Sequence, residues 1–171
     1  MLIALAGLPA TGKSTLAREL ARRLDAVWLR IDSIEQAIRA SALAPKSIDD
    51  AGYKVAYAMA EDNLRLGHVV IADSVNPWML TRDMWRDLAV QTNVRILEIE
   101  TICSDLEQHR RRVETRTTDI PGLALPDWND VIRRDYRPWE RGRLVIDTGV
   151  YPPAACAEQA LAAVRSMGGK S

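Results

Sequence analysis

The sequence predicts an α/β three-layer sandwich on a mainly parallel five-stranded sheet, and three observations point to it. Short apolar runs alternate with longer stretches of helical periodicity, the pattern of parallel α/β construction. The short runs are mostly continuous, as expected of strands covered on both faces. A glycine-containing turn closes the first run and opens the first helix.

The expected strands are Leu2 to Ala6, Val27 to Ile31, His68 to Ala72, Val94 to Thr101 and Leu144 to Ile146; the fourth is the longest and alternates at its end. Between them Leu16, Ala17, Leu20, Ala21 and Leu24 recur at helical spacing, then Tyr53, Tyr57, Ala60 and Leu64, then Thr81, Met84, Trp85 and Leu88. Ser47 and Asp50 are placed to cap the second of these helices and Gly67 to end it. After an arginine-rich helix, Asp119, Pro121, Gly122 and Pro126 break the pattern from Thr117 to Asp127, and a short lid is expected at about residues 110–127. A chain of 171 residues with 47% hydrophobic content can bury one sizeable core, so one domain over 1–171 is expected.

Lys plus Arg and Asp plus Glu number 23 each, which gives no overall electrostatic drive toward nucleic acid or an acidic membrane. Cys103 and Cys156 lack metal-ligand spacing, and His68 and His109 do not complete a zinc site. The apolar start at Met1 to Ala6 lacks the features of a signal peptide. No run approaches the roughly 20 apolar residues of a membrane span. A cytoplasmic location with free thiols and no membrane partner is the expectation.

Gly7-Leu8-Pro9-Ala10-Thr11-Gly12-Lys13-Ser14 matches the P-loop, or Walker A, pattern G-x-x-x-x-G-K-[ST], directly after a strand and at the start of a helix. Its glycines let backbone N–H groups turn toward phosphate, and the helix N-terminus adds positive potential. Gly7 to Ser14, with Thr15, are therefore expected to hold ATP, Lys13 reaching the transferring phosphates and Ser14 ligating Mg2+. The fold class becomes a P-loop NTPase sandwich.

Ligands of parallel sheets bind outside the carboxyl ends of the strands, where Asp32 and Asp73 stand. Asp32, on a strand expected beside that of the P-loop, is read as the catalytic base and an acceptor-binding residue; the alternative is a helix cap. Asp73 is read as a magnesium and substrate residue, with Asn76 a further substrate contact; the alternative is an Asx turn before Pro77. Arg110, Arg111, Arg112 and Arg116 share a segment with acidic residues, which fits a solvated helix with i,i+4 pairs. Arg112 and Arg116, four apart and next to the expected lid, are the pair read as catalytic. Acceptor selectivity is expected from side chains around Met59, Trp78 and Met79.

These residues resemble the P-loop kinases related to gluconate kinase, shikimate kinase, chloramphenicol phosphotransferase, zeta toxin and polynucleotide kinase. Gly7 to Thr15 is similar to their ATP loop, Arg30-Ile31-Asp32-Ser33 to their base-bearing strand end, and Arg112 to Arg116 to their lid arginines. Val70 to Pro77, with Arg82 and Trp85, is similar to polynucleotide-kinase-like proteins, but no arginine directly precedes Asp32 and the R-D-x-x-R pattern is missing. Tyr136-Arg137-Pro138-Trp139-Glu140 and Leu144 to Thr148 resemble the tail of bacterial AAA-domain ATP-binding proteins. The resemblance implies a fold and not a substrate; Asp32, Asp73 and the lid arginines add acceptor-side chemistry, from which an ATP-dependent kinase with a small-molecule hydroxyl acceptor is expected.

Two other functions compete. One is a polynucleotide or nucleoside 5′-hydroxyl kinase, using Arg133, Arg134, Arg137, Arg141 and Arg143 as a basic strip beside Trp128 and Trp139. The other is an ATP-binding or ATP-hydrolysing regulatory protein without acceptor. The residues name neither the acceptor nor an oligomeric state.

Overall fold

A computed structural model describes residues 1–42 and 47–168. Five parallel strands, β1 (Leu2–Ala6), β2 (Val27–Arg30), β3 (Val70–Asp73), β4 (Ile96–Ile102) and β5 (Leu144–Asp147), form one sheet in the order β2-β3-β1-β4-β5. The helices are α1 (Lys13–Leu24), α2 (Ile31–Arg39), α3 (Ala51–Arg65), α4 (Met79–Gln91), α5 (Leu106–Thr115), α6 (Trp128–Ile132) and α7 (Pro153–Ser166). The five expected strands and the helices at α1, α3 and α4 are found; α6 and α7 lie outside the stretches the periodicity identified.

Alternation along the strands divides the core in two. Ile3, Leu5, Ile71, Ile99 and Ile146 pack against α1 and α7 through Leu16, Leu20, Ala160 and Val164. Leu2, Ala4, Leu29, Val70 and Ala72 point to the other face, against Ala56, Ala60 and Leu64 of α3 and Trp85 and Leu88 of α4. Each of these side chains leaves water on folding, the main favourable contribution to such a fold.

The strand order corrects one expectation. β2 does not lie beside the P-loop strand: β3 separates them, so Asp73 pairs in register with Leu5 on one side and Arg30 on the other. The burial explains the order. β3 is buried at every position, as a central strand must be, whereas β2 is largely half-buried, as suits an edge.

The alternating end of β4 has a structural role. Glu98 and Glu100 lie on the α4 side, where the segment after α6 covers them instead of a helix. Arg141 bridges Glu98 and Asp83, and Arg143 and the Tyr136 hydroxyl meet Glu100. The segment is tied down by Arg82, only 1% exposed. Its guanidinium donates to the carbonyls of Asn76, Pro77, Arg137 and Pro138 and lies over the rings of Tyr136 and Trp139. The cap of α3 is weaker than its sequence suggests: Asp50 occupies the N-cap without a capping bond and pairs with Lys54, while Ser47 bonds Asp49. Gly67 follows the helix with φ 87°, as expected.

Candidate active site

The loop after β1 is built for close backbone packing. Gly7 has φ 137°, and a Cβ there would lie 2.3 Å from the Thr101 carbonyl oxygen, so no side chain fits. Gly12, at φ 92°, takes the N-cap of α1 with no side-chain cap, which leaves first-turn N–H groups for an anion. Side chains brace the loop from below: the Thr11 hydroxyl lies 2.8 Å from both the Leu8 carbonyl and the Thr101 hydroxyl. His109 Nε2 lies 2.8 Å from the Pro9 carbonyl, and its ring meets Trp128 edge-on. His109, which sequence reasoning considered only as a metal ligand, is thus a buried prop of the loop.

Lys13 is buried and donates to the Leu8 carbonyl at 2.7 Å. Burial lowers its pKa to about 8, against the pull of Asp73 and then Asp32. Asp73 is 3% exposed and accepts the Trp28 indole N–H at 3.2 Å. Burial pushes its carboxyl above the usual range, and the Lys13 charge and the Ser14 hydroxyl oppose this. A buried carboxylate beside a serine hydroxyl is a pair of hard oxygen donors, which fits a magnesium ion.

Lys13, Ser14, Asp32, Asp73, Arg112 and Arg116 line one cavity of about 870 Å³. β2 and β5 are the two edges of the sheet, with β1 central, so the walls come from opposite sides of the P-loop. On the β5 side are Arg112, Thr148, Tyr151 and Pro153; on the β2 side are Arg30, Asp32, Glu35, Gln36, Tyr53 and Ser74. Of the lid expected at about 110–127, residues up to Thr115 belong to α5, and the stretch 117–126 contributes to the wall, with Asp119 held by Arg30 at 2.6 Å and Gly122 against the Gln36 side chain.

Asp32 sits in the first turn of α2, but the N-cap is Arg30. Its carboxylate is exposed to the cavity and makes no hydrogen bond among the described residues, so the capping alternative does not describe it. Arg112 and Arg116 separate in role. Arg112 is spent on Thr148, whereas Arg116 Nε is buried without a partner, and burial lowers its pKa.

Three expectations need correction. Asn76 is no substrate contact: it is 1% exposed, donates to the Leu5 carbonyl at 2.6 Å and accepts from the Trp85 indole at 3.2 Å. Its φ of 45° places it in a left-handed turn that asparagine tolerates. Met59, Trp78 and Met79 do not line the cavity; its β2 side is walled by α2, Tyr53 and the lid. The basic strip is largely neutralised, since Arg137, Arg141 and Arg143 pair with Asp135, Glu98 and Glu100. Arg30, read only as part of the strand-end motif, and Arg134, read only as part of the basic strip, both stand in the cavity wall; nothing in local periodicity brings positions so far apart together.

Residues 2–133 match the family model described as AAA domain. The chain belongs to this AAA domain family. Its fold is that of the P-loop kinases, as solved structures show. A candidate kinase from Chloroflexus aurantiacus has TM-score 0.73 at 21% identity, covering 96% of both chains. Mycobacterium tuberculosis APS kinase in complex with AMPPNP and APS has TM-score 0.66 at 19% identity, covering 97% of this chain and 96% of that one. Chaetomium thermophilum Kti12 in complex with ADP-AlF3 has TM-score 0.69 at 18% identity, covering 97% and 98%. The chain spans 4% of the length of the curated relative it matches, a highly reducing polyketide synthase from Gibberella moniliformis. That match has 29% identity over 105 residues, 61% of this chain. Among the described residues, no helix is long and apolar enough to cross a membrane.

Proposed function

We propose that this protein is an ATP-dependent phosphotransferase that moves the γ-phosphate of ATP to a hydroxyl of a small-molecule acceptor. One observation carries the reading: the cavity that receives the P-loop continues to a free carboxylate, Asp32, with its own wall from α2, Tyr53 and the lid. A protein that only bound or hydrolysed ATP would have no need of that second side. The nucleotide complexes of the APS kinase and Kti12 structures, similar in fold, support nucleotide binding by this chain.

In this reading the uncapped start of α1 and the Lys13 ammonium bind the phosphates, and Lys13 follows the charge that develops during transfer. Ser14 and Asp73 would hold magnesium, which when bound neutralises phosphate charge. The acceptor hydroxyl oxygen bonds to the γ-phosphorus as the bond to the β–γ bridging oxygen breaks. ADP departs with that electron pair, and the hydroxyl proton passes to the Asp32 carboxylate. Arg116, with its unpartnered Nε at the cavity wall, is suited to the equatorial oxygens.

The test is a screen of hydroxylated metabolites for ADP release by the wild type and by Lys13→Ala. Acceptor-dependent release that Lys13→Ala loses while folded supports the reading. Release that no acceptor stimulates would favour a hydrolysing switch instead.

A further inference from the structure

Of the carboxylates in the cavity wall, Asp32, Glu35, Asp73 and Asp119, Asp73 alone is buried, at 3% exposure. A buried carboxylate is costly unless charges and hydrogen bonds hold it. Lys13 and Ser14, at the start of α1, face Asp73 from one side. From the other side comes a residue that belongs neither to the P-loop nor to the magnesium pair. It is Trp28 on β2, whose indole N–H donates to Asp73 Oδ2 at 3.2 Å.

The strand register makes this contact a diagonal one. Trp28 pairs with Ile71 and Arg30 with Asp73, and residues two apart on a strand share a face. Ile71 and Trp28 pack in the core layer of α1, with Leu16 and Leu20, so Asp73 stands on that same face, at the helix end that carries Lys13 and Ser14. The indole fills core with its body and sends its one donor toward the carboxyl end of the sheet. The ring is held in place from its exposed side. The Arg30 guanidinium lies 5.7 Å from the ring centroid, and Arg30 is itself tied to Asp119 of the stretch 117–126 at 2.6 Å. With Oδ2 held by the indole, the carboxylate cannot turn freely, and its other oxygen is left to the cation that Ser14 and Asp73 would hold.

We propose that Trp28 is a positioning residue for the magnesium carboxylate: its indole N–H fixes the orientation of Asp73, so that Mg2+ and the nucleotide phosphates bind together. Groups that orient a metal ligand in this way carry roughly 10–100-fold of metal affinity. The proposal rests on the reading of Ser14 and Asp73 as the magnesium pair, and its test needs neither an acceptor nor turnover.

AMPPNP is titrated by calorimetry into the full chain, once with excess Mg2+ and once in EDTA, for the wild type, Trp28→Phe and Trp139→Phe. Trp28→Phe keeps an aromatic ring in the core and loses the donor. It is expected to bind AMPPNP roughly tenfold more weakly than the wild type with Mg2+, and as tightly as the wild type in EDTA. Trp139→Phe, whose ring lies over Arg82 outside the cavity, should match the wild type in both. Wild-type affinity of Trp28→Phe with Mg2+, or equal weakening in both buffers, would overturn the proposal and leave Trp28 a core residue. A wild type whose affinity Mg2+ does not change would overturn the magnesium pair itself, and the proposal with it. A second measurement needs no substitution of Trp28. In the NMR spectrum of the isotope-labelled chain loaded with AMPPNP, the 5 tryptophans each give an indole N–H peak. One peak should move when Mg2+ is added, and Asp73→Asn should displace the same peak; if no peak responds to both, the proposal is overturned even where Trp28→Phe does not fold.

Discussion

Arg112 donates from both terminal nitrogens to Thr148, at 2.7 Å to the hydroxyl and 2.8 Å to the carbonyl. The Thr148 hydroxyl in turn lies 3.0 Å from the Thr11 carbonyl, and its methyl packs where a Cβ on Gly12 would sit. A guanidinium on α5 therefore supports the P-loop through the turn after β5. Arg112→Lys is expected to lower the melting temperature and weaken nucleotide binding several-fold, because a point charge cannot reproduce the fork. Arg116→Lys should lower turnover with little change in melting temperature, since its Nε has no protein partner to lose. Full activity and unchanged nucleotide binding in both variants would mean that neither arginine serves the site. Thermal melts, ADP titration and turnover on each preparation decide between them.

Lys13 gives the free protein a basic limb. With its pKa lowered to about 8 by burial, it loses its charge above that pH, and ADP affinity should fall by up to roughly tenfold per pH unit. Phosphate binding draws the proton back, so the fall levels off at the higher pKa of the complex. For stability the sign is opposite. The unfolded chain holds the Lys13 proton longer, so this residue's contribution rises with pH between about 8 and the ordinary 10.5. Calorimetric ADP titrations from pH 7 to pH 9.5 test this; a flat profile would mean that Lys13 stays charged throughout.

Arg82 is expected to be the most sensitive position outside the cavity. Replacing it with Met removes the side-chain donor to the carbonyls of Asn76, Arg137 and Pro138, while Pro77 keeps the Arg137 backbone N–H, and frees the segment that covers Glu98 and Glu100. A loss of about 3 kcal/mol or more is expected from urea unfolding. A loss below about 1 kcal/mol would mean that the tail is held by its own ion pairs.

Arg82 also shows where sequence reading stops. Its neighbours were legible as a segment following the third strand, but a buried arginine that binds carbonyls looks in sequence like one that binds phosphate. Asn76 misleads in the same way, because burial rather than residue type decides whether an amide meets substrate or core. The P-loop was legible because motif, strand and helix are contiguous, and Asp32 and Asp73 because strand ends are. The order of strands was not: periodicity marks β2 and β3 without saying which one lies beside β1. Arg30, Ser74, Arg116 and Arg134 come together only through that order and the lid.

The central claim is that Asp32 takes the acceptor proton. Asp32→Asn keeps size and shape, and Arg30 rather than Asp32 caps α2, so folding should be little affected. The measurement is phosphoryl transfer to an identified acceptor, with ATP affinity and melting temperature taken on the same preparation. A fall in transfer of roughly 10²–10⁴-fold with ATP affinity nearly unchanged is expected for a lost general base. Transfer preserved per folded molecule would contradict the claim and move the role of base to Asp73.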